Sequence, residues 1–188
     1  MRALEEQIED RTNRQLRKTL VFKGVAESPN ETWEQTEAKL ANILHTVTGK
    51  SLAETAEWIE RCHRSGKPPS ERTSDDASQS NSKSQLVNGP RVITAGFYDW
   101  KDTELILDCF RKNNINNKSK LSAERKFGVI TTRRRNEALM ERRKLLDAKM
   151  IKSGYLAYPA RLMVKGGNDT SYHLHKDYSK MDIIFNTQ

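Results

Sequence analysis

Ser171, His173, His175 and Asp177 lie close together near the end of the chain and supply the residue types of a hydrolytic triad. His173 and His175, two apart, would share one face of a strand, but no G-x-S-x-G turn and no metal-ligand spacing surrounds them. There is no Walker loop, no G-x-G-x-x-G turn and no H-E-x-x-H helix. Cys62 and Cys109 form no C-x-x-C pair, so neither a disulfide framework nor a cysteine zinc site is suggested, and both thiols are expected reduced and partly buried. The expectation is a protein that is not an enzyme and takes no metal or cofactor.

The cations carry a stronger signal. Of 188 residues, 33 are Lys or Arg and 25 are Asp or Glu, a net +8. From Arg111 to Lys165 there are 16 basic and 4 acidic residues, or +12, which leaves 17 against 21, or −4, for the rest. Positive charge concentrated beside an acidic remainder suits a polyanion, and nucleic acid is the leading partner. Within that stretch Arg135, Arg142 and Lys149 fall in a line at helical spacing, between a flank of Ala138 and Leu145 and a flank of Leu139, Leu146 and Met150. Three buried cations are costly, so the row must snorkel, pair with carboxylates or line a groove filled by a phosphate chain. Arg133 and Arg134 add to the cluster at the helix start, where free N–H groups also favour an anion. Tyr158, Arg161 and Lys165 follow on a strand, with an aromatic face and two cations that suit an unpaired strand; Tyr158 reads equally as a half-buried core residue.

The elements that must position these groups are legible in the hydrophobic pattern. Met1, Leu4 and Ile8 have a-d-a spacing that breaks at Arg11 and Gln15, which looks like the last heptad of a coiled coil. One heptad is too short to hold in water, so either more coil precedes it or the stub frays. Thr19 to Val25 reads as a strand. Thr32 caps a helix whose apolar positions run from Trp33 to Val47 and stop at Gly49. Ala56 to Arg64 and Arg91 to Tyr98 read as strands, and a helix begins at Asp102. A fourth strand is expected near Ile115 to Leu121. Ser65 to Gly89, serine-rich and without aromatics, reads as a disordered loop. Thr132 caps a long helix to about Met150; strand pieces around Pro159 and over Thr170 to Leu174, a short helix over Lys176 to Met181 and an apolar tail, Ile183 to Phe185, complete a second domain.

The fold class expected is α+β. A ferredoxin-type β-α-β-β-α-β domain of the RNA-recognition-motif kind (19–121) follows a coiled-coil end (1–18) and precedes a small α+β nucleic-acid-binding domain (122–188). The stacking motifs of such a domain are degenerate here. The outward position in the first strand is Val21, Phe22 should face the core, and the aromatic positions of the third strand fall on Ile93 and Ala95. That sheet would stack bases poorly, and backbone electrostatics should dominate affinity. No apolar run approaches the ~18 residues of a membrane span, and the start lacks a signal-peptide core, so no membrane partner is expected and the chain reads as soluble and intracellular.

Taken in order, these segments resemble the first-open-reading-frame RNA-binding proteins of LINE-type retrotransposons, the L1-like transposase (transposase 22) family. The likeness covers nearly the whole chain. It is carried by the coil ending Leu4 to Arg14 leading into LRKTLVFKGVAE (Leu16 to Glu27), by Cys62-His63-Arg64, by Pro90-Arg91-Val92-Ile93, by Trp100-Lys101-Asp102, by Arg134-Arg135 and by Tyr158-Pro159-Ala160-Arg161-Leu162. The resemblance implies a homotrimer joined by an N-terminal coiled coil, each subunit clamping single-stranded RNA between its two domains and acting as a nucleic-acid chaperone in a retrotransposon ribonucleoprotein. It carries over Arg64, Arg91, Arg111, Arg134, Arg135, Tyr158 and Arg161 as contacts, to which the charge pattern adds Arg133, Arg142 and Lys165. A cytoplasmic ribonucleoprotein is the expected setting, with a nuclear phase left open by the Arg133-Arg134-Arg135 run. The alternatives are a self-assembling module of such a particle and a cellular RNA-binding protein of the recognition-motif type.

Overall fold

The computed structural model describes residues 2–67, 89–117 and 121–180, which fall into two units. The serine-rich loop lies almost wholly outside the described residues, as does the apolar tail Ile183 to Phe185. The architecture is mixed α and β with antiparallel sheets.

The first unit, Gln15–Lys126, is built on a four-stranded sheet in the order β2-β3-β1-β4. Its strands are β1 (Thr19–Lys23), β2 (Ile59–Ser65), β3 (Val92–Phe97) and β4 (Ser122–Arg125). β-Branched and aromatic residues alternate along β1 and β3, so Leu20, Phe22, Ile93, Ala95 and Phe97 all fall on one face. That face packs on α2 (Trp33–Thr48) through Leu40 and Leu44 and on α4 (Trp100–Asn117) through Ile106 and Phe110. Phe22 joins the layers, its ring 6.3 Å from Phe97 and 5.7 Å from Phe110. The chosen Thr32 cap of α2 is a full capping box with Gln35, and Gly49 ends the helix at φ 73°, a left-handed conformation that a residue with a Cβ adopts only under strain.

Several boundaries differ from the sequence reading: α4 starts at Trp100 rather than Asp102, β1 ends at Lys23 rather than Val25, and the unit begins at Gln15 rather than 19. Ala56 belongs to a short helix, α3 (Leu52–Glu57), capped by Ser51, which precedes β2. Residues up to Asn117 continue α4, and the fourth strand forms later, at Ser122–Arg125, where it pairs with β1. The unit boundary therefore moves from 121 to Lys126.

Glu31 and Arg64 tie the turn after β1 to the sheet edge. The Arg64 side chain is buried and donates from Nε to Glu31 Oε1 at 3.0 Å, from Nη1 to the carbonyls of Val25 and Arg91 at 2.8 Å each, and from Nη2 to Ala26 O at 2.7 Å. Glu31, fully buried, also accepts from Lys39 and from Thr36 Oγ1. Beside it Arg91 donates to Glu27 from both its backbone N–H, at 2.9 Å, and its Nε, at 2.6 Å. Burial alone would raise the Glu31 carboxyl, but the donors from Arg64, Lys39, Thr36 and the Ser28 N–H outweigh it and hold the group far below its usual range.

The second unit joins residues 2–14 to 127–180. Helix α5 (Val129–Asp147) lies on one face of a three-stranded antiparallel sheet, β5 (Ser153–Ala157), β6 (Arg161–Lys165) and β7 (His173–Asp177), in that order. Ala138 and Leu145 from the helix meet Ala160, Leu162, Val164 and Tyr178 in a small core. The long helix starts at a Gly128 cap rather than at Thr132, whose hydroxyl donates back to Phe127 O at 3.3 Å, and it ends at Asp147 rather than Met150. Past that end Lys149 sits at φ 57°, with its N–H on Leu146 O and that of Met150 on Leu145 O, the paired bonds of a Schellman stop. The third strand begins at His173, later than Thr170, and the terminal helix shrinks to a 3-10 turn, Tyr178–Lys180.

The stub read as a coiled-coil end is a helix, α1 (Arg2–Gln15), that docks by its polar residues onto the second unit while Leu4 and Ile8 stay exposed. Among the described residues no helix is long and apolar enough to cross a membrane.

Arg64→Ala should lower unfolding free energy by about 3–5 kcal/mol in urea melts, because it strips a buried carboxylate of its main partner. Since Glu31 and Glu27 both titrate below their unfolded range, wild-type stability should be full at neutral pH. It should decline as the pH falls below about 4.5 toward the folded values, and the same melts repeated down to about pH 3 read this directly.

Candidate nucleic-acid interface

The cation row of α5 does not form a groove floor. Ala138 and Leu145 are buried as expected, but Leu139 and Met150 are exposed, and Lys149 leaves the line because the helix has ended. Arg135 and Arg142 run along the border of the core and spend a donor each on peptide carbonyls, one in the turn after β5 and one within it. Arg135 Nη1 meets Pro159 O at 2.9 Å, and Arg142 Nε meets Gly154 O at 2.6 Å. Both guanidinium heads staple the helix to the hairpin of β5 and β6 through backbone carbonyls.

Arg135 has a second role. Its guanidinium carbon stands 4.5 Å over the Phe127 ring, and Phe127 lies 6.3 Å from Tyr158 at a 32° tilt. The result is a cation–ring–ring column with Tyr158 at its outer end, 52% exposed. Arg161 Nε donates to Tyr158 O at 3.1 Å, which keeps a second, exposed guanidinium beside the same tyrosine. Burial pushes the Tyr158 phenol up, with Asp10 and Glu9 of α1 adding to it and Arg14 opposing, so the phenol stays neutral at physiological pH. Tyr158 is thus neither a core tyrosine nor an isolated one. Phe127 was not legible as part of the site: it precedes the helix with no periodicity to mark it.

The helix start is already occupied by protein groups. Glu9 Oε1 accepts the Thr131 N–H at 2.7 Å, Asn13 Oδ1 accepts the Gly128 N–H at 2.8 Å, and Asn13 Nδ2 donates to Thr131 Oγ1 at 2.7 Å. Gly128 has no side chain to cap with, so α1 supplies the cap, and Glu9 supplies the anion that a helix N-terminus favours. The expectation that an outside anion binds those N–H groups is corrected on this ground.

The remaining candidates divide between the units. Arg64 and Arg91 are committed to Glu31, Glu27 and carbonyls inside the first unit, so they hold backbone rather than face a ligand. Arg111 is exposed on α4 and pairs with Asp108 at 2.7 Å. Arg133 is exposed and Arg134 half-buried on the first turns of α5. Lys165, half-buried on β6, donates to Thr170 O at 3.1 Å. The +12 stretch is therefore shared, with Arg111 to Lys126 in the first unit and Phe127 to Lys165 in the second.

The open face of the four-stranded sheet carries Val21, Thr94, Gly96, Arg61 and His63 by register, and no aromatic residue among those described. Ile93 and Ala95 point instead into the core. Arg61 lies across Gly96, where an added Cβ would come within 3.0 Å of Nε.

The triad residue types do not assemble. His173 Nδ1 is 3.5 Å from Asp169, whereas Asp177 accepts from the N–H and hydroxyl of Ser179. The expectation that His173 and His175 share a face meets a register shift between Leu162 and Met163, which breaks the alternation of β7. Among the described residues no group of three His, Cys, Asp or Glu could hold a metal. Cys62 and Cys109 are both free thiols, and burial, aided by the Glu37 charge, pushes Cys62 up to about 12. No protein-family model matches the chain, and no curated protein matches it.

Asn13→Ala removes the acceptor of Gly128 and the donor to Thr131 together. It should cost about 1–2 kcal/mol in thermal or urea unfolding, the range for a lost buried cap, while Asn13→Asp, which keeps the acceptor, should recover part of the loss.

Proposed function

We propose that this chain is a non-enzymatic binder of single-stranded RNA, largely indifferent to sequence, that serves as a nucleic-acid chaperone in a retrotransposon ribonucleoprotein of the LINE type. The observation that carries the reading is the Arg135–Phe127–Tyr158 column with Arg161 beside it. An exposed ring backed by a second ring and flanked by cations is what an unpaired base and its phosphates require, and stacking of this kind tolerates any sequence. The strand order β2-β3-β1-β4 with two helices on one face supports a recognition-motif type of first unit. Its open face, poor in rings, favours phosphate contacts over base readout there.

A second reading is supported by Leu4 and Ile8, which lie exposed at a-d spacing on α1 while the polar side of that helix docks. Self-association of copies along this seam, as a trimeric coil in the resembling family, would bury them.

Filter binding of the full chain to unstructured RNA across a salt series tests the first reading. The log–log slope should be roughly −0.7 per neutralised phosphate, near −3 for about four contacts. Arg161→Ala should flatten it by about one such step, and Tyr158→Ala should weaken binding by roughly 5- to 100-fold with the slope kept. A salt-independent affinity would end the proposal.

A further inference from the structure

One face of the three-stranded sheet is turned away from α5. Leu162 and Val164 of β6 point into the core, so alternation places Arg161, Met163 and Lys165 on the opposite face. Register then fixes the row across the three strands: Tyr155 pairs with Met163, and Met163 with Leu174. Tyr155 is 46% exposed and Leu174 51%. Tyr172, 43% exposed, stands edge-to-face with Tyr155 at a centroid distance of 4.9 Å, and its hydroxyl is 2.9 Å from Ser153 Oγ.

We infer that this open face, the row Tyr155–Met163–Leu174 with Tyr172 and Lys165 at its end, is a stacking site for unpaired nucleobases. The inference deepens the RNA-binding reading and rests on it. In an edge-to-face pair the ring that contributes its edge keeps both of its own faces clear of the partner, so a planar base has a surface to meet. The strand position of Tyr155 and the contact of the Tyr172 hydroxyl with Ser153 hold that surface in place, which lowers the entropy cost of binding.

Charge selects the occupant. Lys165 Nζ lies 6.0 Å from the Tyr172 ring centre, and Arg161 sits in the neighbouring cross-strand row. The acid in register with Arg161 is Asp177, whose carboxylate accepts from Ser179; Asp169 accepts from the Gly166 N–H beside Lys165. Rings bordered by cations, with the nearby carboxylates already accepting protein donors, match a polyanion that carries π faces. An apolar protein surface would find no use for the cations. Arg161 also touches Tyr158 through its Nε, so it belongs both to this face and to the Tyr158 column.

The test compares the full chain on an unstructured oligouridine and on an abasic backbone of the same length, about twenty nucleotides. Wild type should prefer the oligouridine. Tyr155→Ala with Tyr172→Ala should lose roughly 10-fold on it, leave the abasic backbone unchanged and keep the salt slope, while Phe at both positions restores binding. Leu174→Glu, at an exposed position that folding does not require, should weaken both probes by repulsion. If wild type binds neither probe, the RNA-binding reading itself falls. If wild type binds and the double alanine variant matches it, this inference alone falls. It also falls if that variant alters the sedimentation of the RNA-free protein without altering RNA affinity, since the face is then a contact between copies.

Discussion

Peptide groups left outside helices and ladders must still be paired once water is excluded, and in this chain long polar side chains pair several of them. Arg64 gathers three carbonyls around a buried carboxylate; Arg142 holds a carbonyl of β5 and Arg135 one of the turn after it; Glu9 and Asn13 satisfy the start of α5. The small core of the second unit, six buried residues, could not fix the helix on its sheet with comparable precision by apolar contact alone. Several arginines that would be counted as ligand contacts by charge are therefore part of the frame.

That division decides what reaches a ligand. The column ending at Tyr158 exists because Arg135 is fixed to Pro159 O at one donor while its guanidinium carbon lies over Phe127. A guanidinium has five donors and two faces, so one group can hold backbone and stack at once, which an ammonium cannot do. Arg64, by contrast, spends its donors inward, and its burial removes it from any surface role.

Legibility followed the same line. Apolar alternation in β1 and β3, the capping box at Thr32 and the glycine stop at Gly49 were plain in the sequence because each depends on neighbours a few residues away. A hydroxyl residue is the usual local cap and points to Thr132 as the start of α5, whereas the real caps come from Asn13, 115 positions before Gly128, and from Glu9, 122 positions before Thr131. Spacing located the arginine row but could not tell carbonyl from phosphate as its acceptor. Tyr158 and Arg161 read as members of one strand, whereas Tyr158 sits in the turn before β6 with its carbonyl on Arg161 Nε; Phe127, Tyr155 and Tyr172 carry no local signal, since only the fold brings them into use.

The docking of α1 makes the first unit an insert: the second unit is opened by residues 2–14, interrupted, and closed by residues 127–180. During synthesis the helix leaves the ribosome ahead of the inserted unit, and its receptor at Gly128 and Thr131 follows 115 and 118 positions after Asn13. At roughly 5–20 residues per second that is an interval of about 6–24 seconds. The inserted unit can fold meanwhile, so α1, made before it, is among the last pieces to be secured.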